Sequence, residues 1–157
     1  MRPLSKDLQE FIHLLNQEKV EYVIVGAWAL AFHGRPRYTG DIDVFIRPET
    51  SNADRMMRVI EAFGFGNTGL VREDFLRPDF VVQLGVEPNR IDLLTGISGV
   101  SFEEAWRQPS QGILNEEHVP FLSRDLLIRN KQASGREKDL ADVSLLNKTR
   151  PIPPASK

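Results

Sequence analysis

The sequence contains no cysteine, which excludes disulfide bonds, thiolate metal sites and cysteine nucleophiles. It also lacks an excess of positive charge, because 20 Lys and Arg residues stand against 22 Asp and Glu residues, so no overall field favours nucleic acid. No window of about 18 apolar residues predicts a membrane-spanning helix, and the first residues have no apolar signal-peptide core. We therefore expect a soluble, cytoplasmic protein whose chemistry depends on carboxylates, hydroxyls, lysine, arginine and three histidines.

Hydrophobic periodicity and turn residues predict an alternation of helices and strands. Ser5 is expected to cap the first helix, whose apolar face extends to Leu15. Strands are predicted at residues 22–25, 41–46, 80–84 and 90–95, the last two as a hairpin, with a weaker strand near 119–122. Further helices are predicted at 27–32, from Ser51 to Gly64, from a capping box at Ser101 and Glu104, at 123–134 and at 136–147.

The length of 157 residues corresponds to about one domain, and a hydrophobic content of 41% is ordinary for a globular chain. The order of elements predicts an α+β (mixed α/β) fold, in which helices pack on a small mixed sheet. We expect one domain over residues 1–150 and a flexible, proline-rich tail over residues 151–157.

Two aspartates lie two residues apart on one predicted strand. Asp41 and Asp43 therefore share a face, with Cα atoms roughly 6.5–7 Å apart. Two carboxylates on one face repel each other unless a cation lies between them, and Mg²⁺ prefers oxygen ligands of this kind together with phosphates. The alternative is an edge strand on which both aspartates face water.

The residues before this pair are typical of a phosphate site. Gly26 lies between a buried strand and a helix start, where backbone N–H groups favour a phosphate, and Ala27 leaves the approach open. The connection carries Arg35, Arg37 and Thr39, which suit triphosphate charge. A tight turn and a solvated loop are the plainer interpretations of these two segments.

Asp92 is the one acid within the predicted strand at residues 90–95. A lone aspartate amid isoleucine and leucine is costly to bury unless it is paired or coordinates a cation. If its strand neighbours that of Asp41 and Asp43, all three carboxylates converge and could hold two metal ions.

Residues 26–46, read as G-A-W-A-L-A-x-H-G-x-x-R-x-T-x-D-I-D-V-F-I, resemble the nucleotidyltransferase superfamily, which includes DNA polymerase β and the minimal nucleotidyltransferases. Within it they are most similar to AbiEii-type proteins, whose closing motif K-x-x-A-x-x-R-x-x-D-x-x-D resembles residues 127–142. The resemblance implies that Asp41, Asp43 and Asp92 bind metal and act in catalysis. It also implies that Gly26 approaches phosphate and that Lys131 contacts the nucleotide phosphates.

The resemblance further implies an enzyme that uses two Mg²⁺ ions, or Mn²⁺, to transfer NMP from an NTP to an acceptor hydroxyl, with release of pyrophosphate. The acceptor could be a small molecule, a protein or an RNA end, and a toxin or a second copy of the chain is a further candidate partner. Ala27 stands where members have glycine or serine, which leaves open an inactive, antitoxin-like interaction module. The start Gly26-Ala27-Trp28-Ala29 is similar to that of lincosamide and aminoglycoside nucleotidyltransferases, so an antibiotic-modifying enzyme is the second alternative.

Three further residues near these motifs have a structural interpretation. Asp139 and Asp142 match acids of the closing motif, but they could equally pair with Arg136 and Lys138 to fix two helices. His33, at the end of a short helix, is more typical of a cap or packing residue than of a catalyst.

Overall fold

The computed structural model describes residues 5–34, 40–66, 68–86 and 89–148. Within these ranges the helices are α1 (Lys6–Gln17), α2 (Gly26–Phe32), α3 (Thr50–Ala62), α4 (Phe102–Arg107), α5 (Arg124–Ser134) and α6 (Glu137–Lys148). The strands are β1 (Tyr22–Val25), β2 (Asp41–Ile46), β3 (Val81–Leu84), β4 (Arg90–Leu94), β5 (Ser110–Leu114) and β6 (Glu117–Phe121), and a short 3₁₀ helix covers Arg72–Leu76. The predicted α+β class with a mixed sheet is confirmed. The expected tail at residues 151–157 lies outside the described residues.

The six strands form one sheet in the order β3-β4-β2-β1-β6-β5. The pairs β1–β2, β3–β4 and β5–β6 are antiparallel, whereas β2–β4 and β1–β6 are parallel. β1 lies in the interior of the sheet and all four of its residues are buried, as its unbroken apolar run predicts. β2 is also an interior strand, between β1 and β4, and its first residues carry the two predicted aspartates next to β4.

Local signals fix several helix ends. The Ser5 hydroxyl accepts a hydrogen bond from the Leu8 amide at 3.3 Å, and Ser101 and Glu104 form the predicted capping box. Gly135 ends α5 in a left-handed conformation with φ +71°, a conformation that glycine adopts without a side-chain penalty. These features confirm the predicted caps of α1 and α4 and the break between α5 and α6.

The predicted cap at Ser51 is wrong, because α3 begins at Thr50 and its N-cap is Glu49. The start of α3 is held by tertiary hydrogen bonds rather than by a capping hydroxyl. The buried Asn52 amide accepts from the Glu21 amide at 2.8 Å and donates to the carbonyls of Glu21 and Arg47, each at 3.0 Å. These bonds tie α3 to the residue that precedes β1.

The hydrophobic core joins both faces of the sheet. It includes the apolar stripe of α1, the interior of β1 and β2, and residues as far along the chain as Leu146. No helix in the described ranges combines the length and the apolar character that crossing a bilayer requires.

Candidate functional site

The parallel register of β2 and β4 brings the three predicted carboxylates together. Asp43 lies opposite Asp92 in this register, and Asp41 lies opposite Arg90. One carboxylate oxygen from each of Asp41, Asp43 and Asp92 lies within 4.8 Å of the others. Asp92 is buried and the other two are half-buried, so the alternative of an edge strand with both aspartates in water does not apply.

The charged forms of the carboxylates in this cluster are disfavoured, and a bound cation would stabilise them. Burial, followed by the charges of Asp41 and Asp92, raises the pKa of Asp43 to about 7, against a smaller opposing effect of Arg90. Burial also raises the pKa of Asp92. Three converging carboxylates are a donor set that hard divalent ions such as Mg²⁺ prefer, and the raised pKa values of Asp43 and Asp92 mean that burial, together with the neighbouring acids, disfavours their charged form. The residues present therefore fit a divalent cation.

Arg90 belongs to this cluster and was not among the residues expected from the sequence. Its Nη2 donates to Asp41 Oδ2 at 2.5 Å, and its Nε donates to Asp92 Oδ1 at 3.0 Å. Side chains two residues apart on a strand share a face, which groups Asp41 with Asp43 on β2 and likewise groups Arg90 with Asp92 on β4. That spacing is a signal by which the sequence could have identified it.

The turn from β1 into α2 packs directly against Asp43. Gly26 has φ +67°, and a Cβ at this position would lie 2.0 Å from Asp43 Oδ2. The space that the glycine leaves is therefore taken by the carboxylate. The Trp28 indole Nε1 donates to the Asp41 carbonyl at 3.1 Å, so α2 also holds the first residue of β2 in place. A phosphate contact of Gly26 or Ala27 stays a prediction.

A cavity of about 650 Å³ opens beside the cluster. Its wall includes three of the residues expected at the site, namely Gly26, Asp43 and Lys131. The end of α5 and the start of α6, where Arg136 and Asp139 lie, also line it. Residues of the predicted closing motif and Asp43 of the predicted metal pair therefore border the same cavity.

Lys131 is buried in the wall of this cavity and is held by two acids. Its Nζ donates to Asp142 Oδ2 at 2.9 Å and lies 3.5 Å from Asp139 Oδ1. Arg136 donates to Asp139 through Nε at 2.7 Å and through Nη2 at 3.3 Å. Burial alone would raise the pKa of Asp139, but the hydrogen bonds from Arg136 and Ser134 and the charge of Lys131 lower it to about 2.

The structural interpretation of the two acids of the closing motif is confirmed for the pair Arg136–Asp139. For Asp142 the structure gives Lys131 as a partner, a pairing that the sequence did not predict. These contacts join α5 to α6. They also show that the ammonium group expected to meet phosphate is already engaged with carboxylates.

Two of the predicted nucleotide-binding residues, Arg37 and Thr39, lie outside the described residues, as does Arg35. His33 is a buried C-cap of α2 whose Nε2 lies 2.8 Å from the Leu122 carbonyl, where its neutral N–H form donates. Burial lowers the pKa of His33, which favours that neutral form. The expectation of a cap and packing residue is confirmed.

The fold is similar to that of solved nucleotidyltransferase structures. The antibiotic-resistance factor ANT(2'')-Ia shares 13% sequence identity, with a TM-score of 0.56 over 89% of this chain and 80% of the other. The lincomycin-bound lincosamide antibiotic adenylyltransferase LnuA shares 14% identity, with a TM-score of 0.55 over 94% of this chain and 99% of the other. An antigenic nucleotidyltransferase-like protein from Paracoccidioides brasiliensis shares 18% identity, with a TM-score of 0.52 over 92% and 78% of the two chains. No protein-family model and no curated protein matches the sequence.

Proposed function

Because the chain has the nucleotidyltransferase fold, we propose that it transfers a nucleoside monophosphate from a nucleoside triphosphate to an acceptor hydroxyl. In this reaction the acceptor oxygen forms a bond to the α-phosphorus, and the bond from the α-phosphorus to the bridging oxygen breaks. Pyrophosphate leaves, and the acceptor hydroxyl loses its proton. A general family likeness to transferases would not by itself support this chemistry, since one fold hosts many functions.

The observation that carries the proposal is the convergence of Asp41, Asp43 and Asp92, of which Asp43 lines a cavity together with Lys131 and Arg136. Oxygen ligand atoms of the three aspartates lie within 4.8 Å of one another. The cavity of about 650 Å³ falls within the range of about 300–1,000 Å³ that is usual for small-molecule sites. Carboxylates for a metal together with cations for phosphates form the arrangement that phosphoryl transfer requires.

Asp41, Asp43 and Asp92 would hold Mg²⁺, or Mn²⁺ in its place. When bound, the cation offsets the charge of the carboxylates and of the triphosphate. Asp43 is the member of the three that lines the cavity. We assign to the Asp92 carboxylate the task of orienting the acceptor hydroxyl and accepting its proton, because it lies opposite Asp43 in the register of β2 and β4 and matches the third acid of the superfamily pattern.

The triphosphate would lie against the end of α5 and the start of α6. Arg136 is the better placed cation, because its side chain is 67% exposed and two of its N–H groups anchor it on Asp139. A guanidinium has five N–H donors, so three remain for phosphate oxygens. Lys131 contributes positive charge near the phosphates rather than a direct contact with them, since its Nζ is held by Asp139 and Asp142.

The acceptor is proposed to be a small hydroxyl-bearing molecule rather than a protein or an RNA end. One similar structure is that of an antibiotic-resistance factor, and another is that of a lincosamide antibiotic adenylyltransferase with lincomycin bound. These similarities favour an antibiotic nucleotidyltransferase as the second candidate. That candidate predicts that expression of the protein raises resistance to a hydroxyl-bearing antibiotic. The inactive, toxin-binding module suggested by Ala27 has no structural observation in its favour among the described residues.

Calorimetric titration tests the proposal directly. Mg²⁺ complexes of ATP, CTP, GTP and UTP are titrated into the wild type, Asp43→Asn and a matched control, Asp125→Asn. Asp125 is on α5 with its side chain 94% exposed, so the control makes the same aspartate-to-asparagine change at an exposed residue that is not a predicted metal ligand. We expect at least one nucleotide to bind the wild type and the control, and Asp43→Asn to bind it at least about tenfold more weakly.

Turnover is then measured with the bound nucleotide labelled at the α-phosphate, in the presence of candidate acceptors. Labelled acceptor and pyrophosphate should appear in equal amounts with the wild type and disappear with Asp43→Asn. Failure of every nucleotide to bind the folded wild type would overturn the enzyme and favour the interaction module.

A further inference from the structure

Arg90 is placed at the carboxylate cluster by the backbone of the sheet. It lies opposite Asp41 in the parallel register of β2 and β4, and two residues before Asp92 on its own strand. Both relationships put its side chain on the face that carries the acids. Its position therefore follows from the same register that assembles the cluster.

The guanidinium engages the carboxylates closely. Nη2 donates to Asp41 Oδ2 at 2.5 Å and lies 3.3 Å from Asp92 Oδ2, while Nε donates to Asp92 Oδ1 at 3.0 Å. Both oxygens of Asp92 are thus bonded to one cation. A divalent ion that used the same oxygens would share them with a positive charge a few ångströms away, an arrangement that Coulomb repulsion disfavours.

Arg90 is the more accessible member of this ion pair. Its side chain is 27% exposed, whereas that of Asp92 is 9% exposed, so Arg90 has more room to change partners. An arginine keeps its charge under all ordinary conditions, so it needs a new anionic partner when it moves. A phosphate group matches the fork of a guanidinium as well as a carboxylate does.

We propose that Arg90 is a resident counter-ion that competes with the divalent cation for Asp41 and Asp92, and that it turns to a nucleotide phosphate when that cation binds. The inference rests on the proposed function for the identity of the nucleotide. Its consequence is coupling: metal alone binds weakly because Arg90 must be displaced, and metal with nucleotide binds tightly because the displaced guanidinium gains a phosphate.

A purely structural role for Arg90 predicts the opposite sign. If Arg90 only aligned Asp41 and Asp92 for the metal, its removal would weaken metal binding. If it competes, its removal strengthens the binding of metal alone. The direction of the change therefore separates the two roles.

Mn²⁺ without nucleotide is the probe, and electron paramagnetic resonance measures the free ion during titration of the full chain. The variants are Arg90→Gln, Arg90→Lys and a matched control, Arg72→Gln. Arg72 likewise joins two acids, Glu73 at 2.8 Å and Asp54 at 3.2 Å, but it lies on the 3₁₀ helix away from the cluster. We expect Arg90→Gln to lower the Kd for Mn²⁺ at least about fivefold and the control to leave it unchanged.

The same titration with ATP present completes the test. Mn²⁺ and ATP should strengthen each other's binding in the wild type, and this mutual effect should be reduced in Arg90→Gln. An unchanged or weaker affinity for Mn²⁺ in folded Arg90→Gln overturns the competition. If Arg90→Gln does not fold, Arg90→Lys decides, because a lysine lacks the two-pronged contact and should also bind Mn²⁺ more tightly than the wild type.

The two proposals fail separately. Absence of nucleotide binding to the wild type overturns the transferase while the Mn²⁺ titration without nucleotide still decides the role of Arg90. Absence of Mn²⁺ binding to the wild type and to both Arg90 variants overturns the competition itself.

Discussion

The contact between Gly26 and Asp43 makes a sharp prediction about stability. A Cβ at Gly26 would lie 2.0 Å from Asp43 Oδ2, 3.0 Å from Cγ and 3.2 Å from Cβ. In Gly26→Ala the carboxylate must therefore move by more than 1 Å, or β1 and β2 must separate. The variant tests whether the cluster depends on the absence of a single methyl group.

The magnitude has two parts. A residue other than glycine at φ +67° costs about 1–2 kcal/mol of backbone strain, and forcing an extra carbon into a packed site costs about 1–3 kcal/mol more. We expect Gly26→Ala to lower the free energy of unfolding by about 2–5 kcal/mol. Gly135→Ala is the matched control, since Gly135 has φ +71° and its nearest contact, the Gln132 carbonyl oxygen, would be at an ordinary 3.7 Å.

A double-mutant cycle with Asp43→Ala isolates the steric part. Asp43→Ala removes the two atoms nearest to the new methyl group, so Gly26→Ala in that background should cost the backbone strain and only the milder contact with the Cβ of residue 43 at 3.2 Å. Urea unfolding followed by circular dichroism at one fixed pH gives all four free energies. We expect a coupling of about 1–3 kcal/mol between the two substitutions, as is usual for residues in contact.

Two outcomes would refute this reasoning. One is a Gly26→Ala variant that is destabilised no more than Gly135→Ala. The other is additivity of Gly26→Ala and Asp43→Ala within about 0.5 kcal/mol, which would mean that the carboxylate does not occupy the space beside the glycine.

Three further predictions concern charge. The folded state binds more protons than the unfolded state between the ordinary pKa of Asp43, 3.8, and its raised value of about 7, so stability should fall as pH rises through this window. Urea unfolding at several pH values should show this fall in the wild type and a flatter dependence in Asp43→Asn. An unchanged dependence in Asp43→Asn would contradict the assignment. Arg136→Gln should weaken ATP binding at least about tenfold in calorimetry without weakening adenosine binding. The control is Arg129→Gln, which removes an α5 arginine that pairs with Glu104 of α4 and should change the binding of neither compound. Lys131→Met should lower the free energy of unfolding by about 3 kcal/mol because buried carboxylates lose a cation, and a loss below about 1 kcal/mol in thermal unfolding would argue against that role.

The interior of the sheet was predictable because its local signals agree with its environment. The apolar run of β1 and the alternation at the start of β2 match their burial, and Ser5 caps α1 as its type predicts. β5 was missed because its sequence, Ser-Gln-Gly-Ile-Leu, has little intrinsic preference for a strand. The glycine of β5 is required by tertiary packing, because a Cβ at Gly112 would lie 2.7 Å from the Phe121 ring and 2.8 Å from that of Phe32.

The candidate site divides in the same way. The spacing of Asp41 and Asp43 and the isolation of Asp92 are visible in the sequence, because period and polarity are local properties. The neighbours of these residues are not, since the pairing of Arg90 with Asp41 needs the register of β2 against β4. The pairing of Lys131 with Asp142 likewise needs the packing of α5 on α6. Residue types that carry the chemistry can be found by pattern, whereas their counter-ions require the fold.

The contact of Gly26 with Asp43 argues against a cluster that serves the fold alone. A carboxyl group whose pKa is raised to about 7 by burial and by neighbouring acids lowers stability at neutral pH, and a left-handed residue at the β1–α2 turn adds a backbone constraint at the same point. An apolar side chain at position 43 would remove the first cost and would pack as β2 does further along, where Val44, Phe45 and Ile46 are buried. Perturbed carboxyl groups of this kind concentrate where a ligand restores the balance. A divalent cation would balance these carboxylates more fully than the single charge of Arg90, which it is proposed to displace.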